Sequence, residues 1–165
     1  MTSLYLGYLQ FDVHTGDIKA NLEQVKNGLE NLSPQGPGFV VLPELWAAGF
    51  DYPALARQAA RTNELLVELQ KLADRYQICL AGSLPEPVKS ATGEIFYNTL
   101  YTVGPNGVMG MYRKQNMFAP LGEDRYFTPG SSPCPMQTDS GPVAGLICYD
   151  LRFPELARCQ VKHGA

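Results

Sequence analysis

The stretch Leu146-Ile147-Cys148-Tyr149-Asp150-Leu151-Arg152-Phe153-Pro154-Glu155 constrains the fold of this chain most. The apolar run at residues 142–147 reads as a buried strand that stops at a cysteine. After a short turn, Pro154 and Glu155 open a helix. A chain that passes directly from a buried strand into a helix is building an α/β layer fold. The same passage sets a thiol at a strand end, facing a helix N-terminus. Unpaired backbone N–H groups and the helix dipole favour negative charge there. The expectation is an activated cysteine, held as thiolate, beside N–H groups that can stabilise an oxyanion. The competing reading of Cys148 is a buried structural thiol.

The rest of the chain fits an α/β fold. Residues 4–10 read as a short strand. Asp17 reads as an N-cap, and Ile18, Leu22, Val25, Leu29 and Leu32 recur on one helical face. The breaker-rich residues 33–38 end that helix. Residues 39–42 are all apolar, which predicts a strand buried on both faces and stopping at Pro43-Glu44. Pro53 opens another helical stretch, and Leu65, Leu69, Leu72 and Tyr76 form a second stripe. Residues 78–83 read as a third strand. Residues 95–103 and 108–113 flank Gly104-Pro105-Asn106-Gly107, an antiparallel hairpin. A loop rich in Pro and Gly covers 119–135. The order βαβαβ, hairpin, βα predicts a mixed sheet with helices on one face.

Composition limits the partners. With 165 residues and no repeat or linker, one domain is expected. A net charge of −3 gives no reason to expect nucleic acid. No basic segment precedes a long apolar run, so neither an export signal nor a membrane partner is expected. The cysteines at 79, 134, 148 and 159 lack Cys-x-x-Cys spacing, and His14 and His163 are the only histidines. No metal and no cofactor are expected, and the thiols read as reduced, in a cytoplasmic protein.

Three further residues carry chemistry. Glu44 follows a strand end, where ligands of α/β sheets bind. Leu42, Leu45 and Trp46 would strip its water and raise its pKa toward that of a general base; the other reading is a solvated loop carboxylate. Lys114 ends the second hairpin strand and could stabilise an oxyanion, or be solvated. Glu123, in Gly122-Glu123-Asp124-Arg125, reads locally as a surface charge.

Three segments, in this order, resemble the nitrilase superfamily, the carbon–nitrogen hydrolases. They are Leu42-Pro43-Glu44-Leu45 after a buried strand, Tyr112-Arg113-Lys114 ending a hairpin, and the Cys148 elbow. Tyr8-Leu9-Gln10-Phe11-Asp12 and the stretch from Gly16-Asp17 to Asn21-Leu22 are similar to the family's first strand and helix. The resemblance implies an α-β-β-α sandwich with mixed sheets. It implies Glu44 as general base, Lys114 as oxyanion stabiliser and Cys148 as nucleophile. Glu123 and the N–H of Tyr149 would position the substrate, a small-molecule amide. It further implies a homo-oligomer. The wording of the elbow resembles the small amidase branch, including ω-amidases. Because family domains are longer, residues 1–165 are expected to be a single domain, incomplete at the C-terminus. An open edge beside 143–147 and an apolar patch near the last helix should result. The alternative is a non-catalytic fragment or pseudoenzyme of this fold that acts through association with another chain.

Overall fold

Asp17 and the first apolar stripe dictate the first helix. The Asp17 carboxylate accepts the Ala20 N–H at 3.0 Å and starts α1, Ile18–Leu32, whose Val25 and Leu29 are fully buried. The second stripe forms α3, Thr62–Tyr76, which buries Leu65, Leu69, Leu72 and Ala73. A short α2, Leu55–Ala59, precedes it. The computed structural model describes residues 4–33, 38–91, 93–132 and 134–165. Most of the breaker at 33–38 therefore lies outside the described residues, as do residue 133 of the long loop and the first three residues.

Both long helices cover one face of a five-stranded sheet. Its strands are β1 (Tyr5–Tyr8), β2 (Gly38–Val41), β3 (Cys79–Ser90), β4 (Gly93–Gly104) and β5 (Gly107–Arg113), in that spatial order. The first three are parallel and the last two are added antiparallel. Val25, Leu29, Leu65 and Leu69 pack against Val40, Leu80, Leu84 and Val103. Each such side chain contributes about 1.5–3 kcal/mol on burial. The architecture is the expected mixed α/β sheet with helices on one face. The chain ends in α4, Pro154–Lys162. No described helix is long and apolar enough to cross a membrane.

Three local expectations are corrected. First, β3 continues well past residue 83, through Pro85 and Pro87, pairing with β4 as far as Ser90↔Gly93. Proline is tolerated there because β2 pairs with β3 only as far as Val41↔Ala81. Beyond Ala81 one side of β3 needs no ladder donor. Second, residues 142–147 join no sheet. Val143 makes an isolated bridge with Met136. At Gly145 the buried Gln160 carboxamide replaces a neighbouring strand, accepting the N–H at 2.9 Å and donating to the carbonyl at 2.8 Å. Third, β2 is not covered on both faces. Val41 is 47% exposed, and with Tyr8, its partner in register on β1, and Leu6, two residues earlier on the same strand, it forms an open apolar face away from the helices. Exposed apolar side chains thus gather on β1 and β2, while the last elements contribute Leu151 and Val161.

Candidate active site

Strand direction brings the site together. β5 is antiparallel to β4, which is antiparallel to β3, which is parallel to β2. The C-terminal ends of β2 and β5 therefore lie at the same edge. Glu44 follows the first and Lys114 immediately follows the second.

The turn carrying Glu44 is held in a costly conformation. Leu45 has φ of 46°, a left-handed geometry that costs a β-carbon-bearing residue about 1–2 kcal/mol. Its N–H donates to Ser83 Oγ at 2.8 Å, and its carbonyl accepts from Gly49 N–H at 2.8 Å. Trp46 packs over Gly82, where a β-carbon would come within 2.8 Å of the indole. Lys114 is held by its own backbone, which donates to the Asn98 carbonyl at 2.9 Å and accepts from Gly130 N–H at 2.8 Å. The preceding Arg113 makes a bidentate pair with Glu86, at 2.6 and 2.7 Å, and lies 4.0 Å above the Tyr97 ring.

The Lys114 ammonium, 1% exposed, is the centre of a buried charge cluster. It donates to Glu44 Oε1 at 2.7 Å and to Glu123 Oε1 and Oε2 at 2.8 and 2.7 Å. Asn98 Nδ2 braces both carboxylates, at 2.8 Å to Glu44 and 3.2 Å to Glu123. Phe118 N–H donates to Glu123 at 2.7 Å. Burial alone would lower the lysine pKa, but Glu123 and Glu44 outweigh it and hold the pKa above the ordinary lysine value. Neither Lys114 nor Glu123 is the solvated surface charge that its local sequence allowed.

Cys148 sits at the elbow with φ of 47° and opens the tight turn Cys148–Arg152. Asp150, fully buried, ties this turn to the segment after Lys114. Its carboxylate accepts from Ile147 N–H at 3.2 Å, Tyr112 Oη at 2.9 Å, and the N–H and Nδ2 of Asn116 at 2.9 and 3.0 Å. The Tyr149 ring packs edge-on against Phe118 and Phe153. Glu44 and Cys148 share a cavity of about 340 Å³ whose other walls include Phe39, Leu42, Leu100 and Ile147.

The expected thiolate is overturned. Burial pushes the Cys148 thiol pKa up, and the charge and hydrogen bonding of Glu44 push it further, against the opposing pull of Lys114. The α4 N-terminus begins only at Pro154, and a helix dipole acts within about one turn. Two carboxylates and a single ammonium also leave the cluster with a net negative charge. The pKa of the Cys148 thiol thus lies above the ordinary cysteine range, and the thiol is on the same cavity as the Glu44 carboxylate. Cys79, in contrast, is a buried structural thiol whose pKa burial pushes up to about 12.

Sequence reasoning did not single out Asn98 or Asp150. The available signals were an amide among aromatic residues in β4, and a carboxylate at the third position of the elbow turn, reaching back to the N–H before it.

Residues 6–165 match the family described as Carbon-nitrogen hydrolase. The chain is 32% identical over 160 residues to the 2-oxoglutaramate amidase of Bacillus subtilis (strain 168), covering 95% of this chain and 60% of that protein. It is 31% identical over 183 residues to the chloroplastic omega-amidase of Arabidopsis thaliana, covering 100% of this chain and 47% of that protein. The crystal structure of a carbon-nitrogen hydrolase from Helicobacter pylori G27 superposes with a TM-score of 0.84 at 27% identity, over 98% of this chain and 57% of that one. The chain thus spans about half to three fifths of the length of these relatives.

Proposed function

The chain belongs to the carbon–nitrogen hydrolase family, and we propose that it hydrolyses the amide bond of a small molecule through a Cys148 thioester, releasing ammonia and a carboxylic acid. The observation that carries the reading is Lys114 Nζ bonded at 2.7 Å to both Glu44 and Glu123, with Cys148 facing Glu44 across one cavity. Relatives named amidases support an amide as the substrate class.

In this reading Glu44 takes the Cys148 proton as sulfur bonds to the carbonyl carbon. A thiol with a raised pKa needs such a base at the moment of attack. The oxyanion is held by Lys114 Nζ and the Tyr149 N–H. The C–N bond breaks as Glu44 returns the proton to nitrogen, and ammonia leaves. Glu44 then takes a proton from water as its oxygen attacks the thioester, and passes that proton to the departing sulfur. Glu123 keeps Lys114 aimed and charged. Nucleophile, base and oxyanion donors are all groups of this chain, so the scheme uses neither metal nor cofactor. We read the protein as cytoplasmic, and as a homo-oligomer associating through apolar surface such as Leu6, Tyr8 and Val41.

Ammonia release from primary amides by the 165-residue chain, compared with Cys148→Ala, tests the proposal. Release abolished by the substitution is expected. Release that survives it would remove Cys148 from the mechanism. The open face at Leu6, Tyr8 and Val41 favours one second reading, a non-catalytic chain that works by association. Stable assembly with no ammonia release would support that reading instead.

A further inference from the structure

Tyr52 lies between the segments that carry Glu44 and Glu123. Its ring stacks on Tyr126, with centroids 4.8 Å apart, and meets Phe50 and Phe127 edge-on at 6.2 Å. Tyr126 and Phe127 both donate their N–H groups to the Glu123 carbonyl, at 3.1 and 3.0 Å. Phe127 also packs with Leu45, the residue after Glu44. Three aromatic rings therefore hold the phenol in one place beside the segments that carry the charge cluster.

The Tyr52 hydroxyl is buried, yet it has no hydrogen-bond partner among the described residues. A buried unpaired hydroxyl carries a desolvation penalty that phenylalanine would avoid at no loss of stacking. Burial and the charges of Glu123 and Glu44 push its pKa up to about 12. The group thus keeps its proton and can both donate and accept. Glu123 is already engaged by Lys114, Asn98 and Phe118. A partner brought in by the substrate satisfies the hydroxyl, and a primary carboxamide offers both an acceptor oxygen and donor N–H groups.

We infer that Tyr52 is a further substrate-contacting residue, whose hydroxyl hydrogen-bonds the carboxamide that Cys148 attacks. This rests on the amide reading above.

The test compares the wild-type chain with Tyr52→Phe, which keeps the ring stack. The probe is propionamide, which should protect Cys148 from modification by methyl methanethiosulfonate, a small neutral reagent without a carboxamide. The half-protecting concentration should rise roughly three- to tenfold in the variant, the loss of one hydrogen bond. The melting temperature of the free chain should stay the same or rise, because the hydroxyl has no partner to lose. Equal half-protecting concentrations would overturn the inference. So would a clear fall in melting temperature, which would give the hydroxyl a structural partner. If propionamide protects the wild-type chain but no ammonia is released from amides, the hydrolytic reading fails while the protection ratio still decides the role of Tyr52. Absence of protection in the wild-type chain would overturn both.

Discussion

Replacing Lys114 by methionine removes the cation that separates the half-buried Glu44 carboxylate from the buried Glu123 carboxylate. Lys114 Nζ lies 2.7 Å from an oxygen of Glu44 and 2.7 Å from one of Glu123. The two carboxylates therefore face each other across about 5 Å. At an effective dielectric of about 20, two unit charges at that distance repel by about 3 kcal/mol. For a chain of this size 1 kcal/mol corresponds to about 2–4 °C of melting temperature. Lys114→Met should accordingly melt about 6–12 °C below wild type at pH 8. The sign of the pH effect follows from the same repulsion. In the folded variant, one carboxylate gains by taking up a proton, so the folded state binds more protons than the unfolded state near pH 5. Stability of the variant then rises relative to wild type as pH falls. The melting gap should shrink between pH 8 and pH 5, as followed by circular dichroism. A gap below about 3 °C at pH 8, or one unchanged at pH 5, would refute the charge-cluster reasoning.

Iodoacetamide followed by peptide mapping should modify Cys148 well before the buried Cys79. Because burial and Glu44 raise the Cys148 pKa, its labelling rate should still be climbing at pH 9; a plateau below pH 8 would mean a thiolate. Glu44→Gln should lower kcat for amide hydrolysis by roughly 10²–10⁴-fold, the usual contribution of a positioned base, and an undiminished kcat would exclude Glu44 from that role. Asp150→Ala leaves buried donors from Ile147, Tyr112 and Asn116 unpaired, each costing about 1–3 kcal/mol. A melting temperature within about 2 °C of wild type would show that Asp150 does not anchor the elbow.

What could be read from the sequence was what local chemistry decides. Asp17 is a cap because its side chain reaches the N–H three residues on, and the stripes of α1 and α3 follow from helical spacing. The elbow at Cys148 was legible because an apolar run, a cysteine and a Pro-Glu helix start lie side by side. What was not legible depended on partners distant in sequence. The third strand reads only to residue 83, yet β3 runs on through Pro85 and Pro87, because the edge position that tolerates them is a property of the sheet. The apolar residues 142–147 looked like a strand, but pairing depends on a neighbour, and at Gly145 that neighbour is a glutamine side chain of α4. Its neighbours in sequence make Glu123 read as a surface charge; only the family resemblance pointed inward, and its partner Lys114 arrives from the end of β5. The thiolate expectation counted the nearby helix and missed Glu44, which arrives from another strand end.

Trapping the acyl group tests the Cys148 thioester directly. The chain is mixed with a primary amide, quenched in acid within the first turnovers, and analysed by peptide mass spectrometry. An added acyl mass is expected on the peptide containing Cys148, absent from Cys148→Ala and removed by hydroxylamine. Ammonia release at the wild-type rate from Cys148→Ala, or an acyl group on any other residue, would contradict it.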